Sequence, residues 1–282
     1  VYCIATGAMF SSGFFLLPGL AAARAGPSAV VAYLIAGLLM VPSMLSMMEL
    51  STALPRAGGS YYFLDRSLGP GVGTVTGLGT WLALVFKSAF ALVGMGAYLS
   101  IMPGLGQLLT QGTAGSIWSI KVLAVVLTIL FTAVNILGPR QSTRMQKFLV
   151  IAILAVLGLF IVQGLWHIFF RMPGRSLSRQ YTPFLHPEHG LSGLAATTGL
   201  VFVSYAGLTK VASISEEIRR PERNLPLAMI LSLTTATVVY VLGVFIMIAV
   251  LDPGQLHRDY APVASAMKAF SEWLPGSIAV VL

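Results

Sequence analysis

Residues 199–226 read GLVFVSYAGLTKVASISEEIRRPERNLP, and this stretch decides the fold. It begins as a membrane helix. Apolar residues run from Leu191 to Val203, then Ser204, Tyr205, Ala206 and Gly207 interrupt them, and a polar, charged second half follows. A helix that loosens at mid-membrane leaves backbone N–H and C=O groups without partners. Hydrocarbon supplies none, so the break lines a cavity or faces other protein. Two readings follow. One is a glycine kink that eases helix packing. The other is a ligand site, in which the start of the second half-helix offers N–H groups and a positive dipole end to an anion while freed carbonyls take a cation.

A second break favours the ligand site. The first apolar run, about Val1 to Ala23, contains Gly7, Ser11, Ser12, Gly13 and Pro18, a poor recipe for a continuous helix. Gly13 and Gly207 stand 194 residues apart, and Pro27 and Pro226, which open the following spans, stand 199 apart (207 − 13 and 226 − 27). Two interrupted spans thus begin two similarly spaced segments, the sign of an internal repeat with a binding site between its halves.

Composition agrees with a polytopic membrane protein: 56% of the 282 residues are hydrophobic and 9% charged, against roughly 25% charged in a soluble domain. Seven stretches reach the roughly 20 apolar residues a crossing needs, with an eighth beginning near Pro275. The chain starts at Val1 and its last apolar run stops at Leu282, so it is expected to be a piece of a longer protein. The net charge of +8 resides mostly in loops, where it signals topology and not a nucleic acid partner. Arg56, Arg66, Arg140, Arg144, Lys147, Arg219, Arg220 and Arg223 fall on one side. Arg24, Lys121, Arg171, Arg175, Arg179, Arg258 and Lys268 fall on the other. The shorter loops of the first set favour it as cytoplasmic, with the N-terminus inside. Cys3 is the single cysteine, so disulfides play no part. His186-Pro-Glu-His189 resembles a metal motif with no further ligand cluster, and is read as loop histidines; no metal or cofactor is called for.

Along the chain, a second span runs from about Ser28 to Leu50, a third from about Val72 to Leu99, a fourth from about Trp118 to Leu137, a fifth to about Leu165 and a seventh from about Leu225 to Leu251. Residues 259–270 form an amphipathic piece suited to lie on the membrane surface. Within the third span sits Lys87, next to Ser88. An ammonium there costs several kcal/mol, of the order of ~3, unless it faces a cavity or a partner. Lys87 is therefore expected to face the interior and to substitute for, or respond to, a coupling cation; the alternatives are snorkelling or a permanent carboxylate partner. Lys210 is the other charged candidate, and a solvated vestibule or an acidic substrate would explain it equally well.

Three motifs carry a resemblance. Gly7-Ala8-Met9-Phe10-Ser11-Ser12-Gly13-Phe14-Phe15-x-x-Pro18-Gly19 resembles the first-span signature of the amino acid, polyamine and organocation transporter superfamily. Glu49-Leu-Ser-x-Ala-x-Pro55-Arg-Ala-Gly-Gly59-Ser-Tyr61 looks like its loop after the second span. Phe202-Val-Ser-Tyr-Ala-Gly207, with Glu216-Glu217-x-x-x-Pro221-x-Arg-Asn-x-Pro226, is similar to its sixth span and following loop. The resemblance implies an all-α membrane protein with the inverted-repeat, leucine-transporter-like fold. Its first and sixth helices would be discontinuous, with a first repeat at about 1–168 and a second beginning at about 191–282 in one transmembrane domain. It further implies a multi-pass permease of the cell membrane that carries amino acids or related amines by alternating access.

Carried over residue by residue, the substrate carboxylate would meet the N–H groups of Ser11, Ser12 and Gly13. Its amino group would meet carbonyls near Ala8, Met9, Val203, Ser204 and Ala206. Phe10 and Tyr205 would be pocket or gate residues, Gly207 would open the sixth helix, and Ser88 would line the side-chain pocket. Relatives that place a glutamate two residues after the sixth-span glycine, or a lysine midway in the fifth span, are not matched, because Thr209 and Ile153 stand there. Lys87 and Lys210 remain as ion-coupling candidates. An amino acid exchanger and a non-transporting sensor of the same fold stay open. A membrane-embedded enzyme would need a nucleophile with a base, a metal cluster or a carboxylate pair within the spans, and the sequence offers none of these and no phosphate loop.

Overall fold

In the computed structural model, residues 1–10, 12–101, 113–136, 139–171, 180–257, 259 and 261–270 are described. Every regular element among them is helical. Glycine, serine and proline divide the first apolar run into α1 (Tyr2–Met9), α2 (Ser12–Phe15) and α3 (Leu17–Ala25). Phe10 caps α1 in an extended conformation, with φ −69° and ψ 94°. Gly26 at φ +63° and a 3-10 turn over Gly26–Ser28 make a tight corner into α4 (Ala29–Ala53), and Ser28 Oγ closes it by donating to the Ala25 carbonyl at 2.8 Å. A short α5 (Ser60–Leu68) leads to α6 (Pro70–Ile101). Then come α7 (Thr113–Ile136), α8 (Pro139–Phe170) and α9 (Gly190–Phe202).

After α9 the regular hydrogen bonding tightens. The N–H groups of Ser204, Tyr205, Ala206 and Leu208 bond three residues back, and a 3-10 helix runs from Ala206 to Glu217. Then α10 (Pro221–Val250) starts on a proline whose fixed φ suits a first helical turn, with Glu222 placed well for the helix dipole. Two short helices follow, α11 (Pro253–Leu256) and α12 (Pro262–Phe270).

At the centre, α4, α9, the 3-10 segment and α10 pack around α1 and α3, with α8 and α12 against one flank of α10. Tyr33, Tyr205, Tyr240, Phe14, Met9 and Met229 are fully buried there. On the periphery, α6 turns apolar side chains outward: Val75 is 72% exposed, Trp81 62% and Phe86 65%. Such a surface suits lipid. Five helical runs among the described residues are long and apolar enough to cross a membrane: Leu17–Ala53, Pro70–Leu92, Met145–Phe170, Gly190–Glu217 and Pro221–Val250. The chain is an integral membrane protein.

Several expected boundaries move. Seven spans were expected and five runs qualify among the described residues; the first expected span is divided into short helices, the last of which continues through the 3-10 corner into α4, and α7 occupies the place of the fourth. The eighth span near Pro275 lies outside the described residues. Arg140, Arg144 and Lys147, expected in a connector, belong to the first turns of α8, since Pro139 starts that helix. The amphipathic piece at 259–270 does not lie free on a membrane surface. Instead α12 buries Val263, Ala266, Met267 and Phe270 against α8 and α10, with the Phe270 and Phe160 rings 5.6 Å apart.

Polar pairs fasten α1 to α10. Thr6 Oγ1 donates to Ser232 Oγ at 2.9 Å, Ser232 Oγ donates to the Tyr2 carbonyl at 3.3 Å, and Tyr2 Oη meets Thr235 Oγ1 at 3.0 Å. Thr6 and Ser232 are both fully buried. Replacing Thr6 by Val keeps the shape and removes the hydroxyl, so the full-length protein in detergent should lose about 1 kcal/mol of stability. An unchanged thermal or denaturant midpoint would show that this pair contributes nothing.

Candidate functional site

The two interruptions lie against each other. A Cβ on Gly207 would collide with the Ala8 carbonyl and stand 2.8 Å from the Met9 nitrogen, while one on Gly13 would collide with Ser204, 2.9 Å from its Cα. Backbone meets backbone at Gly207, and the Ser204 side chain and Cα crowd Gly13, so both crossings favour a residue without a side chain. Of the residues singled out in the sequence, Ala8, Met9, Gly13, Ser204 and Gly207 are thus brought together. Phe10 and Tyr205 border them through Tyr240, at ring-centroid distances of 5.5 and 5.1 Å.

Side chains from three helices take up the carbonyls of residues 8–15. Lys87 Nζ on α6 donates to the Ala8 carbonyl at 2.9 Å, and Tyr240 on α10 donates to Met9 at 2.7 Å. Tyr33 on α4 donates to Gly13 at 2.9 Å, and Tyr98 on α6 to Phe15 at 2.8 Å. Tyr205 completes the set from the other break, its hydroxyl donating to the Tyr33 carbonyl at 3.0 Å. Neither Tyr33, Tyr98 nor Tyr240 stood out in the sequence. The available signal was a phenol inside an apolar run, which needs a partner when buried. The acceptors expected to be open are therefore already engaged: Ala8 and Met9 as above, Val203 by the Ala206 N–H at 3.2 Å, and Ala206 by Thr209 Oγ1 at 2.9 Å.

Ser204 differs. Its side chain is 1% exposed, and its Oγ has no hydrogen-bond partner. Val203 and Ala206 are exposed, as is Lys210. Ser88 is exposed and donates to Leu84 on its own helix at 2.9 Å, so it is not drawn into this cluster. Ser11 lies outside the described residues, and Ser12 begins α2. Lys87 does face the interior, bound to a carbonyl and not to a carboxylate.

Two loop clusters flank the breaks. Glu216 reaches the loop of Arg56 through the backbone, accepting the Ala57 N–H at 3.1 Å, while Ser215 Oγ donates to the Arg56 carbonyl at 3.1 Å. Elsewhere, His186, Glu188 and His189 gather in the loop before α9. Burial, and after it the neighbouring His186, push the His257 imidazole below its usual pKa, against a hydrogen bond to the Ala22 carbonyl that pulls it up.

The amino acid permease family model matches residues 1–272. The chain is similar to a methylthioribose transporter of Bacillus subtilis, 25% identical over 269 residues that cover 93% of this chain and 56% of that protein. It is also similar to the branched-chain amino acid permease BcaP of Lactococcus lactis, 27% identical over 94% of this chain and 58% of the relative. A vacuolar cationic amino acid transporter of Arabidopsis thaliana is 28% identical over 93% of this chain and 42% of its own length. The chain spans about half the length of these curated relatives.

Two substitutions test the geometry. Tyr240→Phe removes the hydroxyl that donates to the Met9 carbonyl and should destabilise the full-length protein by about 1 kcal/mol. Gly207→Val should abolish function while the protein still inserts, because the side chain meets the Ala8 backbone and has no flexible neighbour to displace. Wild-type function in Gly207→Val would sink this account of the crossing.

Proposed function

Because the chain belongs to the amino acid permease family, we propose that it forms the substrate-binding part of a secondary transporter for amino acids or related amines. The observation that carries this reading is the backbone contact of the two interrupted spans at Gly207 and Ala8, and at Gly13 and Ser204. In this reading the chain adopts the inverted-repeat fold, with discontinuous first and sixth helices and repeats at about 1–168 and from about 191. It lies in the cell membrane with Glu216–Pro226 on the cytoplasmic side. The names of its relatives are those of transporters, which supports transport over an enzymatic role.

A zwitterion needs clustered donors and acceptors, and the two breaks supply both. The carboxylate meets the N–H groups of Ser11, Ser12 and Gly13. The ammonium meets carbonyls at Ala8, Met9, Val203, Ser204 and Ala206. Those carbonyls already hold one donor in several cases, yet a carbonyl oxygen keeps a second lone pair. Ser204 Oγ, buried without a partner, adds a polar group beside Gly13. Phe10 and Tyr205 act as gates, and moving Tyr205 requires breaking its bond to the Tyr33 carbonyl. Alternating access proceeds by rocking one repeat against the other around these crossings.

Lys87 is the coupling group in this reading. Its ammonium occupies the Ala8 carbonyl, where a coupling cation would otherwise bind, so loading and releasing one proton switches that carbonyl between engaged and free.

Uptake by the full-length protein in liposomes tests the function, with amino acids offered under imposed pH or sodium gradients. Accumulation driven by pH and indifferent to sodium is expected; no uptake of any amino acid or amine under either gradient would overturn the reading. For the coupling role, Lys87→Met should lose pH-driven accumulation, and Lys87→Arg, which keeps the charge and cannot release it, should flatten the pH profile. If both variants retain the wild-type profile and accumulation ratio, the coupling group lies elsewhere.

A further inference from the structure

The loop ahead of α9 carries side chains that transport leaves unused. His186, Glu188 and His189 each offer one ligand atom, and these atoms all lie within 4.8 Å of one another. The turn beneath them is fixed by its own hydrogen bonds. Gly190 N–H donates to the His186 carbonyl at 2.8 Å, while Gly193 N–H at 3.0 Å and Ser192 Oγ at 2.6 Å both donate to that of His189. This three-residue spacing stacks the two imidazoles, with centroids 4.9 Å apart and planes inclined by 21°. Ser28 N–H holds the loop to the bundle by donating to the Phe184 carbonyl at 3.0 Å.

The donor set suits one class of ligand. Two imidazole nitrogens and a carboxylate oxygen are the ligands of a zinc-type ion, with bonds of about 2.0–2.2 Å and neighbouring ligand atoms therefore about 3.4 Å apart. Closing from 4.8 Å takes about an ångström of side-chain rotation, and Glu188 and His189 are exposed enough to make it. The Glu188 N–H donates to His186 Nδ1 at 3.3 Å, so Nε2 is the His186 nitrogen left to face an ion. Three protein ligands leave one tetrahedral position open to water.

We propose that His186, Glu188 and His189 form a site for a divalent transition-metal ion of the zinc class, with water in the fourth position. The bound ion pins the turn that enters α9.

The test uses purified, metal-stripped full-length protein in detergent. Zinc titration by calorimetry should give one ion per chain, and cobalt should produce the visible absorption of a four-coordinate site. Zinc should also raise the thermal transition, since it binds the folded state. The His186→Ala/His189→Ala double variant should bind at least about tenfold more weakly. Glu188→Gln, at an exposed position, should weaken binding without altering the metal-free transition. Wild-type affinity in the double variant, or no binding by the wild type up to ~100 µM zinc, overturns the site.

Discussion

An interrupted helix in an apolar interior must have its freed carbonyls satisfied from elsewhere in the protein, and most of this structure is arranged to do so. The carbonyls of Ala8, Met9, Gly13 and Phe15 receive Lys87, Tyr240, Tyr33 and Tyr98, from α4, α6 and α10. Tyrosine suits the task because it brings a large apolar ring and a single donor at its tip. The rings of Tyr33 and Tyr205 stand edge-on to Tyr240, and Phe14 stacks on Tyr240 at 5.6 Å, so the same residues that satisfy the backbone also fill the core. Packing and polarity are therefore not separable at this centre: removing one phenol oxygen exposes a carbonyl, and removing the ring opens a cavity.

Close approach supports this arrangement. Gly164 lies against Ile246, Gly94 against Leu16 and Gly243 against Phe14, each glycine receiving a large side chain from a neighbouring helix. Within a bilayer, where lipid tails are as apolar as leucine, such fits supply the association that water would otherwise drive. Gly207 and Gly13 belong to another kind, since each meets backbone or a serine at the crossing instead of a yielding apolar side chain.

Much of this could be read in the sequence. The clustering of Gly7, Ser11, Ser12, Gly13 and Pro18 falls where α1, α2 and α3 divide, and the halt after Val203 falls where α9 gives way to the 3-10 segment, because such residues act on the local backbone. Pro221 and Pro139 mark starts equally well, but the loops there were placed too far along, since a proline near charged residues reads as a turn as readily as a first helical residue. The donors were not legible. Tyr33 and Tyr240 find their acceptors 20 and 231 residues away, and nothing in a local pattern names a partner at that separation. The same limit hid the packing of α12, whose apolar stripe suits a bilayer surface and the flank of α8 equally.

The distance between Met9 and Tyr240 also bears on how the protein is made. At the usual pace of synthesis, 231 residues take roughly 10 to 50 seconds, and during that interval the first interruption has left the ribosome while α10 has not. Tyr2 and Thr6 wait as long for Thr235 and Ser232. The opening of the chain therefore enters the membrane without the donors that later complete it. Those donors reach it only when α10 arrives.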